Sequence, residues 1–289
     1  MIVDWSANNK PVTGENSIWI ADLGATETPP TLVNPSTREL AYAELVTSLT
    51  AYVAAGKRVL VGFDFPYGYP AGLASALALK GRPWSAVWRV LESQITDSAA
   101  NIGNRFDVAG AINAELGPGG PFWGNPVHGG VPPATKPAFP FMAQNGVALG
   151  YSRETELRLS ANQKRVQSAW QLWGAGSVGS QTLMGIPRLS ALRHHPVLAE
   201  VSQVWPFETG FTPDPTFGRA PIVIHAEVWP GITPVGSSPG TVKDAAQVRS
   251  LAEHFRALDR QDDLGALFAS PALPLAISVV EEEGWILGT

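Results

Sequence analysis

Two short apolar runs of this chain each end in an aspartate, and these two carboxylates are its first candidates for chemistry. Residues 1–3 precede Asp4, and residues 59–63 precede Asp64. Burying a carboxylate among strand-forming residues is unfavourable unless a cation or hydrogen-bond donors replace the lost water. A single such aspartate is equally well explained as the cap of a turn at a strand end. Two of them in this order favour a functional site.

Two further acids complete a predicted metal site. Glu227 lies in a β-branched, aromatic run just before Pro230, and Asp244 lies in the first turn of a predicted helix. Carboxylate oxygens suit Mg²⁺ or Mn²⁺, and two such ions about 3.5–4 Å apart hold both the attacking and the leaving oxygen of a phosphodiester. The predicted metal ligands and catalytic residues are therefore Asp4, Asp64, Glu227 and Asp244.

Several acids of this set have competing explanations. Asp244 in a first helical turn is favoured by the helix dipole in any protein. Asp262 and Asp263 compete with it as the helix-borne ligand. Glu208 has surroundings nearly identical to those of Glu227, with a Trp–Pro pair close by. We expect Glu208 to brace a loop or to bind substrate.

Basic residues are concentrated between positions 151 and 195. Six of them stand against two acids there, which gives a local charge of +4 in a chain whose net charge is −5. Arg153, Arg158 and Arg165 are candidates for a phosphate-facing patch beside the acidic site. Solvated helix faces of opposite sign explain the same distribution, so both interpretations stay open.

Two serines and a histidine are further candidates. Ser6 follows Asp4 by two residues and is expected to position a ligand. Ser177 ends a glycine-rich turn whose backbone N–H groups can hold a phosphate, although a plain helix–helix turn explains it as well. The turn matches the dinucleotide fingerprint in letters but lacks the preceding strand. His225 shares a strand face with Glu227 and is either a proton shuttle or a core histidine.

Composition excludes several classes of function. The 289 residues contain no cysteine, which excludes disulfides, thiolate zinc sites and cysteine nucleophiles. The chain has no Gly-Lys-Ser/Thr phosphate loop. Its net charge of −5 favours a small phosphate-containing ligand over long nucleic acid. Apolar runs stay below the roughly 18 residues of a membrane span, and no signal peptide is evident, so we expect a cytoplasmic protein without a membrane partner.

Local patterns predict an α/β fold with a mixed sheet flanked by helices. Residues 1–35 have the pattern of an antiparallel three-stranded meander, and a helix follows that Ser36 or Thr37 caps. An apolar central strand comes next, at residues 59–65. Antiparallel meander, helix and buried strand form the opening order of the ribonuclease-H-like fold.

The remaining chain is predicted to complete a single domain over residues 1–289, with a helical insertion at 71–195. A Gly/Pro-rich loop at 117–150 lies inside the insertion and is expected to be an ordered lid. The insertion helices are predicted at 71–80, 84–97, 105–116, 153–173 and 178–194. Later elements are predicted as strands at 201–207 and 222–229, a helix at 242–258 capped by Thr241, and a shorter helix at 260–269.

Several short phrases resemble a known family. They lie at residues 3–6 (Val-Asp-Trp-Ser), 63–66 (Phe-Asp-Phe-Pro), 226–230 and 282–286. They resemble landmarks of bacterial proteins of unknown function with a predicted ribonuclease-H-like nuclease fold. Residues 170–179 and 205–210 resemble a subgroup often labelled molybdopterin-guanine dinucleotide or cobalamin biosynthesis proteins. Members usually carry two acids three or four apart near the C-terminus, whereas this chain has Gly265 where the later acid would fall.

These observations support two hypotheses of different class. The first is a Mg²⁺- or Mn²⁺-dependent phosphoesterase or nuclease that acts on a nucleotide-like or nucleic acid substrate. The second is a non-catalytic protein that binds a nucleotide or a pterin-type cofactor through the acidic pocket and the loop at 117–150. A phosphotransferase of the actin-like fold would need a duplicated domain, and the chain shows one copy. The residues predicted to bind substrate are Ser6, Arg153, Arg158, Glu208 and Ser177.

Overall fold

The computed structural model of this chain has a mixed β-sheet at its centre. It describes residues 1–24, 29–127, 129–162, 164, 166–234, 242–271 and 275–289. The strands of this part are β1 (Ile2–Asp4), β2 (Trp19–Asp22), β3 (Thr31–Val33), β4 (Arg58–Phe63), β5 (Phe141–Met142), β6 (Ala148–Leu149), β7 (Ser202–Val204) and β8 (Ile222–Glu227). Six of them form the central sheet in the order β3-β2-β1-β4-β8-β7, and β5 and β6 form a separate hairpin.

The first half of the sheet is the predicted meander. β1 pairs with β2 and β2 pairs with β3, both antiparallel. On its other side β1 pairs with β4 in parallel, and Val3 lies opposite Phe63. The next residue of each strand is an aspartate, so this register brings Asp4 and Asp64 to the carboxyl ends of two neighbouring strands.

The second half of the sheet is parallel. β8 pairs with β4 over six positions, with Phe63 opposite Glu227, and β7 pairs with β8 at the sheet edge. Every residue of β8 is buried, as expected for a central strand covered on both faces. The prediction of a strand over 201–207 was too long. β7 ends before Trp205–Pro206, because proline has no N–H for the ladder and Glu208 N–H turns back to Val204 O.

Helices cover both faces of the sheet. They are α1 (Arg38–Ala54), α2 (Leu73–Ala76), α3 (Pro83–Gln94), α4 (Arg105–Leu116), α5 (Glu154–Ala161), α6 (Gly179–Arg193), α7 (Lys243–Arg260) and α8 (Leu264–Phe268). α7 packs on β1 and β2, where Ile2 and Ala226 belong to its core. The opposite face packs against α1 and α6, and its core contains Val3 and Phe63. Successive strand residues therefore face different helices.

The ends of two helices were predicted with different success. Thr37 caps α1 as expected, since its side chain accepts the Leu40 N–H. Thr241, the cap expected for α7, lies outside the described residues.

Residues 71–195 contain α2 to α6 and the β5–β6 hairpin, but fewer than half of these residues are helical, so the predicted helical insertion is helical only in part. The helix predicted at 153–173 is shorter, since α5 ends at Ala161. After α5 the chain folds back so that the buried Trp170 stacks on Tyr69 at 4.9 Å and donates to Gly150 O. Those contacts are incompatible with one straight helix. None of the described helices combines the length and the apolar character that crossing a membrane requires.

The C-terminal segment is tied to the insertion by two glutamates. A π-helix at Val279–Glu283 carries Glu282, whose carboxylate accepts the N–H groups of Gly72 and Ala74 at 2.8 and 2.7 Å. Glu283 likewise accepts from Ala71 and Glu154 at 3.0 and 2.8 Å. These carboxylates satisfy N–H groups at the starts of α2 and α5, which have no partner within their own helices.

We expect Glu282→Ala to lower the free energy of unfolding by about 2–3 kcal/mol, because the backbone N–H groups of Gly72 and Ala74 lose a charged acceptor. Glu281→Ala is the matched control, since Glu281 is exposed on the same turn. Urea denaturation of the two variants and the parent measures the difference. Equal midpoints for all three proteins would show that this contact does not hold the C-terminal segment.

Candidate functional site

Asp4 and Asp64 lie side by side at the ends of β1 and β4, and their carboxyl groups are hydrogen-bonded to each other. Asp64 Oδ1 also accepts the Trp5 N–H at 2.8 Å. Both aspartates are largely buried but keep some exposure to solvent. Two ionised carboxylates in contact repel each other, so in the absence of a cation the pair shares a proton.

The surroundings of this pair disfavour its negative charge. Burial, followed by the charges of Asp64 and Asp244, raises the pKa of Asp4 to about 10. Burial also raises the pKa of Asp64 to about 7, although the hydrogen bond from Trp5 N–H opposes that shift. The positive charge of Lys243 acts against the shift of the Asp4 pKa. A bound cation would reverse the balance in favour of the ionised pair.

Asp244 approaches the pair from the first turn of α7. Its Oδ2 accepts the Asn16 N–H at 2.7 Å, which ties the start of α7 to the loop before β2. Its charge contributes to the raised pKa of both Asp4 and Asp64. The competing candidates, Asp262 and Asp263, are exposed beyond the other end of α7. An 18-residue helix is about 27 Å long, so they are too distant to join the pair.

Four other acids with little exposure are each paired with an arginine, unlike Asp4 and Asp64. The ion pairs are Glu227 and Glu156 with Arg153, Asp97 with Arg38, and Glu208 with Arg193. Within the described ranges, neither Asp4 nor Asp64 forms an ion pair with lysine or arginine. Among the described residues, the two carboxyl groups at the strand ends therefore have no lysine or arginine in ion-pair contact.

Glu227 does not join the pair, which corrects its predicted role as a metal ligand. The Arg153 guanidinium donates to both of its carboxylate oxygens, at 2.6 and 2.7 Å, and Tyr67 N–H donates to Oε2 at 3.0 Å. Arg153 is completely buried and also pairs with Glu156. The prediction that Arg153 contributes to a phosphate-facing patch is corrected as well, because its buried guanidinium donates to acceptors inside the protein.

Strand alternation explains why Glu227 is excluded. Neighbouring residues of a strand point to opposite faces of the sheet. Glu227 is in register with Phe63, one residue before Asp64, so the two acids face opposite sides. Asp64 faces α7, whereas Glu227 faces the insertion that carries Arg153. His225 shares the face of Glu227 as expected, and its side chain is fully buried with Nε2 at 3.3 Å from Ser202 Oγ.

Two more substrate-binding candidates have structural contacts instead. Glu208 receives two hydrogen bonds from Arg193, at 2.8 and 2.9 Å, and one from Val204 N–H, so it braces the turn after β7. Ser6 Oγ donates to Asn16 O at 3.1 Å and holds the loop after β1. Neither side chain is free to hold a ligand as placed.

Ser177 and Arg158, the other two predicted substrate-binding residues, have local contacts of their own. Ser177 N–H donates to Gly174 O at 3.1 Å, which is the plain turn rather than a phosphate loop. Arg158 lies against the Trp285 ring, 5.8 Å from its centre, and lines a separate cavity of about 470 Å³. Arg165 lies outside the described residues.

The donor set fits a weakly held cation better than the predicted four-ligand cage. In the part of the chain that the structure describes, no three histidine, cysteine, aspartate or glutamate side chains form a group that could hold a metal ion. Two adjacent carboxyl groups are nevertheless sufficient for Mg²⁺, which keeps several waters and is commonly held by one or two carboxylates together with substrate phosphate. Asp4 and Asp64 match that pattern.

Sequence reasoning missed the residues that position this pair. Trp5 acts through its backbone N–H, and Asn16 acts on Asp244 in the same way. Backbone donors leave no signal in side-chain type. Comparisons with known proteins found no matching family model, no matching curated protein and no matching solved structure.

We expect Glu227→Gln to lower the free energy of unfolding by about 3–5 kcal/mol, because it leaves the buried Arg153 without its bidentate partner. Stabilisation of the folded protein by Mn²⁺ should not change. Thermal denaturation with and without Mn²⁺ separates the two effects, with Glu154→Gln on the exposed side of α5 as the control. Loss of the Mn²⁺ response with little loss of stability would restore Glu227 as a ligand.

Proposed function

We propose that this chain is a divalent-cation-dependent phosphoesterase of ribonuclease-H-like type that acts on a small, nucleotide-like substrate. The observation that carries the proposal is the contact between the carboxyl groups of Asp4 and Asp64 at adjacent strand ends, where neither forms an ion pair with an arginine or lysine of the described residues. A meander, a helix and a parallel strand bring the two acids together, in the order expected of that fold. The partial exposure of both residues supports access from solvent.

Asp4 and Asp64 are the residues that would hold the cation. When bound, the ion would withdraw charge from a phosphoryl oxygen and stabilise the negative charge that develops during attack at phosphorus. The chain supplies the geometry: Trp5 N–H fixes Asp64, and Asn16 N–H fixes Asp244 close to the pair. Asp244 adds negative charge, which favours a cation at the pair.

The charge of the whole chain supports a small substrate. A net charge of −5 opposes the electrostatic attraction on which binding of long nucleic acid depends. A metal-bridged phosphate group tolerates that charge, because the cation neutralises the contact locally. A nucleotide-like phosphate ester is therefore the favoured substrate class.

We expect Asp64→Asn to leave the metal-free protein at least as stable as the parent, because it removes one of two crowded acids. The same change should abolish stabilisation by Mn²⁺, which reaches about 2.7 kcal/mol at one hundred times Kd for a ligand that binds only the folded state. Melting curves across a Mn²⁺ titration measure both effects. Asp107→Asn, at an exposed aspartate of α4, is the matched control.

Hydrolysis of p-nitrophenyl phosphate and bis(p-nitrophenyl) phosphate then separates an enzyme from a binding protein. The proposal predicts Mn²⁺-dependent release of nitrophenol by the parent and by Asp107→Asn, and none by Asp64→Asn. Equal Mn²⁺ stabilisation of all three proteins would show that the pair is not a metal site. Stabilisation of the parent without hydrolysis of either ester would instead favour a cofactor-binding protein.

A further inference from the structure

The loop that follows Asp4 contacts an arginine that has no carboxylate partner among the described residues. Arg105, the first residue of α4, is partly buried. Its Nε donates to Ser180 Oγ at 2.9 Å, its Nη1 donates to Asn9 Oδ1, and its guanidinium lies 4.7 Å from the centre of the Phe106 ring. In the described ranges it forms no ion pair with an aspartate or glutamate. Neutral contacts therefore hold a cationic group in one orientation.

The surroundings of Arg105 make its positive charge unfavourable in the free protein. Burial, and then the nearby charge of Arg38, lowers the pKa of Arg105 to about 10. Arg38 itself is neutralised by Asp97 at 2.6 Å, whereas Arg105 has no counterpart of this kind. An anion beside the guanidinium would relieve this imbalance, and a planar guanidinium held in place suits the paired oxygens of a phosphate group.

A short series of hydrogen bonds links Asp64 to Arg105 through Trp5 and the first turn of α6. Trp5 N–H holds Asp64, and Trp5 O accepts the Gln181 side chain at 2.6 Å. The residue before Gln181 is Ser180, which receives the hydrogen bond from Arg105. The first turn of α6 therefore contacts both Trp5, through Gln181, and Arg105, through Ser180.

Distance along the loop limits how far apart the sites can be. Arg105 contacts Asn9, and Trp5 contacts Asp64. Four residue steps of extended chain span at most about 14 Å, so the backbone positions of residues 5 and 9 lie within that range. A nucleotide-sized ligand is long enough to reach from one site to the other.

We infer that Arg105 is an anion-binding residue that takes a phosphate group of the substrate, beside the carboxyl pair Asp4 and Asp64. That this phosphate belongs to a substrate rests on the proposed function. The phosphate contact itself can be measured without a metal. In this contact the guanidinium of Arg105, oriented by Ser180 and Asn9, would bind the oxygens of a phosphate group.

Inorganic phosphate is the probe, and sodium chloride at equal ionic strength is the control for screening. We expect phosphate to raise the melting temperature of the parent more than chloride does. Arg105→Gln should weaken phosphate binding about tenfold or more, since a charged hydrogen-bond donor is lost. Arg105→Lys should retain part of the effect, because the charge stays while the planar fork is lost. Arg89→Gln is the matched control, because Arg89 is an exposed arginine of α3 with neutral partners.

Adding Asp64→Asn to the same series distinguishes the two proposals. That variant should keep the phosphate response and lose the Mn²⁺ response, while Arg105→Gln should do the reverse. A parent that responds to phosphate through Arg105 but not to Mn²⁺ would contradict the phosphoesterase and leave the anion site standing. Equal responses to phosphate and chloride in the parent, or an unchanged phosphate response in both Arg105 variants, would overturn the inference.

Discussion

Two carboxyl groups in contact at neighbouring strand ends are the constraint on which this structure depends. Asp4 and Asp64 meet because β1 and β4 run in parallel with Val3 opposite Phe63. Their burial raises the pKa of both groups, so the free protein tolerates the contact only with a proton between them. Folding alone would be better served by apolar residues at these positions. The cation site proposed above would offset this unfavourable negative charge.

Two networks of buried charge are neutralised within the protein. Arg153 neutralises Glu227 on the far face of the sheet, and Arg38 donates to the backbone of Ser6 and Asn8 in the loop that follows Asp4. These networks anchor the insertion and the loop without contributing charge to the pair. Arg105 differs because its hydrogen-bond partners are neutral, which is why we propose that it binds a ligand.

The part of the fold nearest the N-terminus followed directly from the sequence. Alternating apolar residues, the Thr37 cap and a strand apolar on both faces are local signals, and they predicted the order of elements that brings Asp4 to Asp64. The exclusion of Glu227 was not local. It depends on the register between β4 and β8 and on Arg153, which is 74 residues away in sequence. The early end of α5 also depends on a distant contact, that of Trp170 with Tyr69. Helical pattern alone cannot reveal a stacking partner.

Anomalous diffraction from crystals grown with Mn²⁺ tests the central claim most directly. The account predicts one strong anomalous peak between Asp4 and Asp64, with an oxygen of each carboxylate about 2.0–2.6 Å from the ion. Glu227 should still be bound to Arg153 in the same crystal. An absence of anomalous density at the strand ends, with the two carboxyl groups still hydrogen-bonded to each other at saturating Mn²⁺, would contradict it.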